Sequence, residues 1–438
     1  METIKLKLIY PKWNKLPGQT TFNLPPHGPV AFAATLPEYV DISFTDENVE
    51  PIDFDEECDL VALSMMLTTQ VKRGWAIAEE YHKRGKTVLA GGISTMLHAE
   101  EMVNHVDSVF LGESEGRSEQ VIQDWKNGCL KKIYNYIGNM PDIATVGPCR
   151  RDLYKRELYN HKGVQMVDLF NASRGCRFSC YPCAVSYLGG RKFRPRPVDK
   201  VVEDMAGIDN NRLFIVDNSL AQDKQWEMDL FRAIAPLKKK WISHTIEDDP
   251  EVLDLAAKAG AWYVYQAVYD TSDYIKERVK RYHDYGIGVE GTILFGLDNQ
   301  TEDDIKRLID FLGEIDLDLA EFTISPPSRI PRVTMTCCAK VASLTSTGIT
   351  ITLVRWCFNP STCRRRSCRI STITLGRASM PVRARSRRCS ACSATSPCVR
   401  WKKAPIVRET AAWPTSRLAA MWIAQGATLT SGLKANNW

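Results

Sequence analysis

Ser173-Arg-Gly-Cys-Arg-Phe-Ser-Cys-Tyr-Pro-Cys183 places three cysteines, Cys176, Cys180 and Cys183, in a Cys-x3-Cys-x2-Cys run just after the apolar stretch Val164 to Phe170. Thiolates are the soft ligands that iron–sulfur clusters require, and a short loop leaving a strand can direct three of them at one cluster. Three ligands on a four-iron cluster leave one iron open to a substrate, much as catalytic zinc sites keep one position open. The competing reading is a zinc loop or three unrelated thiols, but the fourth ligand that a structural zinc site needs is not nearby.

This triad resembles that of the radical S-adenosylmethionine (radical SAM) enzymes, and the resemblance extends over residues 1 to about 325. It implies a 4Fe-4S cluster on Cys176, Cys180 and Cys183 whose open iron binds the amino and carboxylate groups of SAM. It also implies cleavage of SAM to a 5'-deoxyadenosyl radical that abstracts hydrogen from an unreactive carbon. An external electron donor such as flavodoxin or ferredoxin is implied as well.

Outward from the triad toward the C-terminus, strands and helices alternate. Strands are predicted at Leu213 to Val216, Trp241 to Thr245, Trp262 to Val268 and Val289 to Phe295, with helices at Val198 to Met205, Gln225 to Lys238, Pro250 to Ala259 and Thr271 to Tyr285. That alternation predicts a partial (β/α) barrel over 171–325, with its working residues at the strand carboxyl ends. Asp217, Asn218 and Ser219 end one such strand, where the resemblance places contacts to the SAM amino group. Gly291 and Gly296 resemble the glycines beside the SAM adenine, or else serve close packing. Arg191, Arg194 and Arg196 could steady anionic groups or form a solvated basic turn. His244 reads as an acid–base group or a satisfied core histidine.

Toward the N-terminus, β-branched runs at Ile4 to Tyr10, Val40 to Phe44, Leu60 to Ser64, Thr87 to Ala90 and Ser108 to Leu111 alternate with amphipathic stretches such as Thr69 to Arg84. This predicts an α/β, doubly wound Rossmann-like domain over 1–140, joined by a linker over 141–170. Ligands of such domains bind at the strand carboxyl ends, here at Ser64, Gly91, Gly92, Gly112, Glu113 and Gly116. Asp46-Glu-Asn-Val-Glu-Pro-Ile-Asp53, Gly91-Gly92 and Gly112-Glu-Ser-Glu-Gly116 resemble the cobalamin-binding-type domain of cobalamin-dependent radical SAM methylases and of the anaerobic magnesium-protoporphyrin ester cyclase. Methylation or oxidative cyclisation of a small-molecule or lipid-like substrate follows from that likeness, with cobalamin expected as a further cofactor. The Asp-x-His-x-x-Gly motif for an axial histidine is absent, because His82 of Glu80-Tyr-His-Lys-Arg-Gly85 sits at a helix end. A methylthiotransferase would carry another cysteine triad here, yet the first 140 residues hold only Cys58 and Cys129.

The net charge of +5 hides an asymmetry. Residues 332 to 438 contain 18 of the 57 Lys+Arg but one of the 52 Asp+Glu, so the tail carries +17 and the remainder, 39 against 51, carries −12. Eight cysteines lie in this tail without metal-ligand spacing, and no sustained helical period runs through it. Such a stretch reads as a misread coding frame: the codons of Trp356-Cys357 regroup to a forced valine codon, and residues beyond about Ser325 are expected to be unstructured. The alternative is a basic nucleic-acid-binding tail. No signal-peptide pattern and no run of about 18 apolar residues occurs, which predicts a cytoplasmic chain without transmembrane segments. Fourteen cysteines there suit metal binding under anaerobic conditions rather than disulfides.

Overall fold

The computed structural model describes residues 3–324 apart from 14, 16–21, 181–182, 184, 189–190, 296 and 298–299, together with the backbone of 338–345, 348–355, 369–376 and 383–388. Six parallel strands form the first sheet: β1 (Ile4–Tyr10), β2 (Val40–Asp46), β3 (Leu60–Ser64), β4 (Thr87–Gly91), β5 (Ser108–Leu111) and β6 (Ile133–Asn135), in the order β2-β1-β3-β4-β5-β6. Strand order reverses between β1 and β3, the topological switch point at which doubly wound sheets hold ligands. Val, Ile and Leu dominate these strands because both faces are covered, and Leu8, Ile9, Leu60 and Val61 are fully buried. Helix α1 (Val71–Lys83) turns Val71, Ile77, Ala78 and Tyr81 onto one face, and Gly85, at φ +70°, follows its end.

A second six-stranded parallel sheet begins at β7 (Asp168–Phe170) and continues through β8 (Arg212–Ile215), β9 (Lys240–Ser243), β10 (Ala261–Val268), β11 (Gly288–Phe295) and β12 (Leu319–Ile324), each strand beside its predecessor. This in-order arc is the partial barrel, and it starts three residues inside the stretch that the sequence assigns to the linker. Helices α2 (Val198–Ala206), α3 (Lys224–Ile234), α4 (Pro250–Lys258), α5 (Asp273–Asp284) and α6 (Glu302–Leu312) connect the strands. Their starts are locally encoded. Asp223 accepts from Trp226 N–H, Asp249 caps a helix with Pro250 in its first turn, and Thr301 and Asp304 form a reciprocal capping box. Between sheet and helices lies the larger core, in which Trp241 stacks on Phe231 with ring centres 5.2 Å apart. The linker is no free tether: Tyr154 donates to Pro26 O and Tyr159 to Asp46 Oδ2, which fixes it to the first domain.

In the tail, backbone strands at Cys338–Thr345, Gly348–Arg355, Arg369–Gly376 and Arg383–Arg388 pair as an antiparallel meander. Their runs of Ile, Thr, Val and Leu, as in Gly348-Ile-Thr-Ile-Thr-Leu-Val-Arg355, carry strand propensity whatever frame encodes them. The other tail residues lie outside the described set. No described helix is long and apolar enough to cross a membrane.

One core group makes stability pH-dependent. Glu227 of α3 is fully buried, and burial pushes its carboxyl up to about 8 from an ordinary 4.5. The folded state therefore holds a proton that the unfolded chain releases, so this contribution is fully present below pH 4.5 and is lost as pH rises through 8. Glu227→Gln should flatten the dependence of the denaturation midpoint between those pH values, and an unchanged slope would show that another group carries it.

Candidate active site

The cysteine loop leaves β7 and is closed at its neck. Ser173–Arg174 pairs antiparallel with Arg194–Pro195, with Arg174 opposite Arg194. Cys176 is buried, Cys183 half-buried and Cys180 exposed, and all three are free thiols. Burial pushes the Cys183 thiol up to about 11 and raises Cys176 as well, and the charge of Cys180 adds to both shifts. The three sulfurs are thus within electrostatic reach of one another. Among the described residues, however, no group of three Cys, His, Asp or Glu side chains stands ready-assembled for a metal. The donor chemistry fits an iron–sulfur cluster, whose binding would deprotonate the thiols and draw the loop together.

Two side chains beyond β8 hold the loop backbone. Asp217, 2% exposed, accepts from Ala172 N–H at 2.8 Å and from the Ser173 hydroxyl. Burial pushes its carboxyl up to about 7, against the lowering effect of these hydrogen bonds. Gln222, equally buried, accepts from Arg177 N–H at 2.7 Å and donates to Gly175 O at 3.3 Å and Ser219 O at 2.8 Å. Asp217, expected from the sequence to accept from the SAM ammonium group, turns both of its oxygens toward the loop. Ser219 donates to Thr245 O at 3.3 Å, while Asn218 is half-buried beside it. His244 packs beside the stacked rings of Phe214 and Tyr265, with Nδ1 2.5 Å from Asp217 O. A Cβ on Gly291 would come within 2.4 Å of Leu317 Cδ1, so its small size admits the Leu317 side chain just before β12. Gly296 lies outside the described residues.

Arg194 and Arg196 are not a solvated turn. Arg196 and Arg151 both pair with Asp204, at 2.9 and 3.0 Å, with all three side chains at least nine-tenths buried. Arg194 and Arg174 reach across to the first domain. Arg174 donates to Glu113 at 2.9 Å and to Glu115 at 2.6 Å, and Arg194 donates to Glu113 at 3.0 Å. Burial opposes ionisation of Glu113, but its bonds from Arg194 and the charge of Arg174 hold it below the usual carboxylate range. Arg191 is exposed. Local pattern could not reveal these pairs, because their partners lie 61 and 81 residues away.

A cavity of about 220 Å³ opens at the carboxyl ends of β1, β3, β4 and β5. Ser64, Gly91, Gly92, Gly112 and Glu113, all expected as ligand-binding, line it, as do Leu8, Ala62, Phe110, Glu115 and Arg174. Gly116 does not line it. Gly92 and Gly112 adopt φ +94° and +113°, and a Cβ there would come within 2.3 Å of Met65 O or 3.0 Å of the Tyr136 backbone, so only glycine shapes these turns. The apolar, glycine-rich wall suits the heterocyclic end of a nucleotide-like cofactor. Among the described residues, no histidine lines it. His82 instead pairs with Asp107 at 2.8 Å on the outer end of α1.

No family model matches the chain. The bacteriochlorophyllide d C-12(1)-methyltransferase of Chlorobaculum tepidum is 25% identical over 324 residues, which cover 68% of this chain and 70% of that one. The hopanoid C-2 methylase of Rhodopseudomonas palustris is 22% identical over 342 residues, covering 70% and 63%. Among solved structures, the radical SAM methyltransferase TsrM of Kitasatospora setae, with cobalamin and a [4Fe-4S] cluster bound, superposes with a TM-score of 0.55 at 15% identity over 74% of this chain and 72% of its own. That likeness is one of fold, and it matches the order found here, a doubly wound domain followed by a partial barrel. The chain is similar in sequence to methyltransferases and in fold to a radical SAM methyltransferase. Its cysteine loop thus stands between the barrel of the enzyme and the cavity of its first domain, with Arg174 belonging to both.

Proposed function

We propose that the enzyme methylates an unreactive carbon of an apolar, ring-containing small molecule. A 4Fe-4S cluster would be held by Cys176, Cys180 and Cys183, SAM would bind beside it, and cobalamin would occupy the first-domain cavity. When bound, these groups supply the electron, the radical and the methyl donor. The observation that carries the reading is the shared wall: Arg174, two residues before Cys176, lines the same cavity as Ser64, Gly91 and Gly112. The relatives whose printed activities are methylations favour methyl transfer over cyclisation.

The chain's own residues prepare this chemistry. Asp217 and Gln222 fix the loop backbone before any cofactor arrives, so less reorganisation remains on binding. Phe214, Ile242 and Tyr265, with Leu169 and Val167, make an apolar inner face that excludes water from the barrel. An external one-electron donor of the flavodoxin or ferredoxin kind belongs to the same reading. Misreading of the tail remains part of the proposal, and translation of the other frames of the encoding DNA across codons 320–340 tests it.

The cavity assignment has a direct test. Gly91→Leu places a branched side chain in the cavity wall and should lower retention of hydroxocobalamin on gel filtration by at least about tenfold, as expected when a filled pocket costs more than about 1.4 kcal/mol of binding. Cluster absorbance should remain. Undiminished corrinoid retention by a folded Gly91→Leu chain would move the cobalamin site elsewhere.

A further inference from the structure

The neck of the cysteine loop carries an electrostatic problem. Arg174 and Arg194 are directly opposed on two antiparallel segments, and like charges in that position repel. Their side chains are only 19% and 8% exposed, so water screens the repulsion poorly. Among the described residues, no hydrogen bond from the barrel neutralises them: Arg174 bonds to Glu113 and Glu115, and Arg194 to Glu113 and Pro141 O. Both carboxylates come from the turn after β5 of the first domain. Glu113 alone touches both arginines, one with each of its oxygens in the closest pairings, and so bridges the two sides of the neck.

We infer that Glu113 is a positioning residue for the cysteine loop: by neutralising and bridging Arg174 and Arg194, the first domain holds closed the neck from which Cys176, Cys180 and Cys183 extend. The first domain is then more than a cofactor holder. It is a structural requirement for the triad, and the same carboxylate lines the cavity, so the two sites share one group. The inference rests on the reading of the triad as the cluster loop.

The test uses the full chain, reconstituted anaerobically with iron and sulfide. Wild-type chain must first assemble the cluster; if it does not, the reading of the triad fails, whatever Glu113 does. Given assembly, Glu113→Gln is expected to lose most of the 4Fe-4S absorbance and to broaden the electron paramagnetic resonance signal of the reduced cluster. Glu113→Asp should retain more of both. The deciding variant is Glu113→Gln with Arg194→Gln, which removes the unbalanced cation and should restore cluster content toward the Arg194→Gln level. A Glu113→Gln chain with a normal cluster but greatly weakened hydroxocobalamin retention would overturn the inference and make Glu113 a cavity ligand. Failure of Arg194→Gln to rescue would overturn it too, including where Glu113→Gln alone does not fold.

Discussion

Alanine at any one of Cys176, Cys180 or Cys183 is expected to reduce iron bound after anaerobic reconstitution to background and to abolish SAM cleavage, while leaving the unloaded chain folded. A cubane with three protein thiolates has no spare ligand to lose, because its fourth iron is kept for substrate. The loop offers no replacement, since the other cysteines whose side chains are described, Cys58, Cys129 and Cys149, belong to the first domain and the linker. Cys180 is exposed, so its removal costs little packing. Cys180→Ala is therefore the cleanest of the three: iron and sulfide analysis should show loss of the cluster with an unchanged melting curve. Retention of the full 4Fe-4S spectrum in that variant would remove Cys180 from the ligand set.

The largest effect on stability is expected at Asp204. Its carboxylate is 4% exposed and is shared by Arg151 and Arg196, one from the linker and one just after the strand that closes the cysteine loop. Replacing both charges of a buried pair with apolar groups can be neutral, but removing one leaves the other uncompensated. Asp204→Ala strands two guanidinium groups at once and should cost about 3–5 kcal/mol, read as a lowered urea midpoint. Arg196 also donates to Asn171 O, just before the loop, so cluster assembly should suffer with stability. A loss below about 1 kcal/mol would mean that both arginines reach solvent when Asp204 is gone.

Much of this architecture is written locally. Five of the six strands of the first sheet are β-branched or leucine-rich runs, the short Ile133–Asn135 being the exception, and the barrel helices carry their own caps at Asp223, Asp249 and Thr301. The cysteine spacing names a donor set without reference to anything distant. What the chain does not spell out is pairing over long separations. Gly112-Glu-Ser-Glu-Gly116 reads as a ligand loop, and it does line a cavity, yet the partners of Glu113 lie beyond the linker. Arg194-Pro-Arg196 reads equally as an anion clamp or a solvated basic turn, because the sequence does not say which acids will meet it, whereas folding supplies Glu113 and Asp204. Asp217 is a polar strand end in sequence. Only the return of the loop over β8 turns its carboxylate into the acceptor for Ala172 and Ser173. Gln222 belongs to no motif, and its role exists only once Gly175 and Arg177 lie against it.

The most direct test of the central claim is to reconstitute the full chain anaerobically with iron, sulfide and cobalamin, add SAM and dithionite, and quantify the nucleoside products by chromatography. A cobalamin-dependent radical SAM methylase should form 5'-deoxyadenosine, from radical cleavage, together with S-adenosylhomocysteine, from methyl donation. A chain that assembles its 4Fe-4S cluster and binds cobalamin, yet yields neither product, would contradict it.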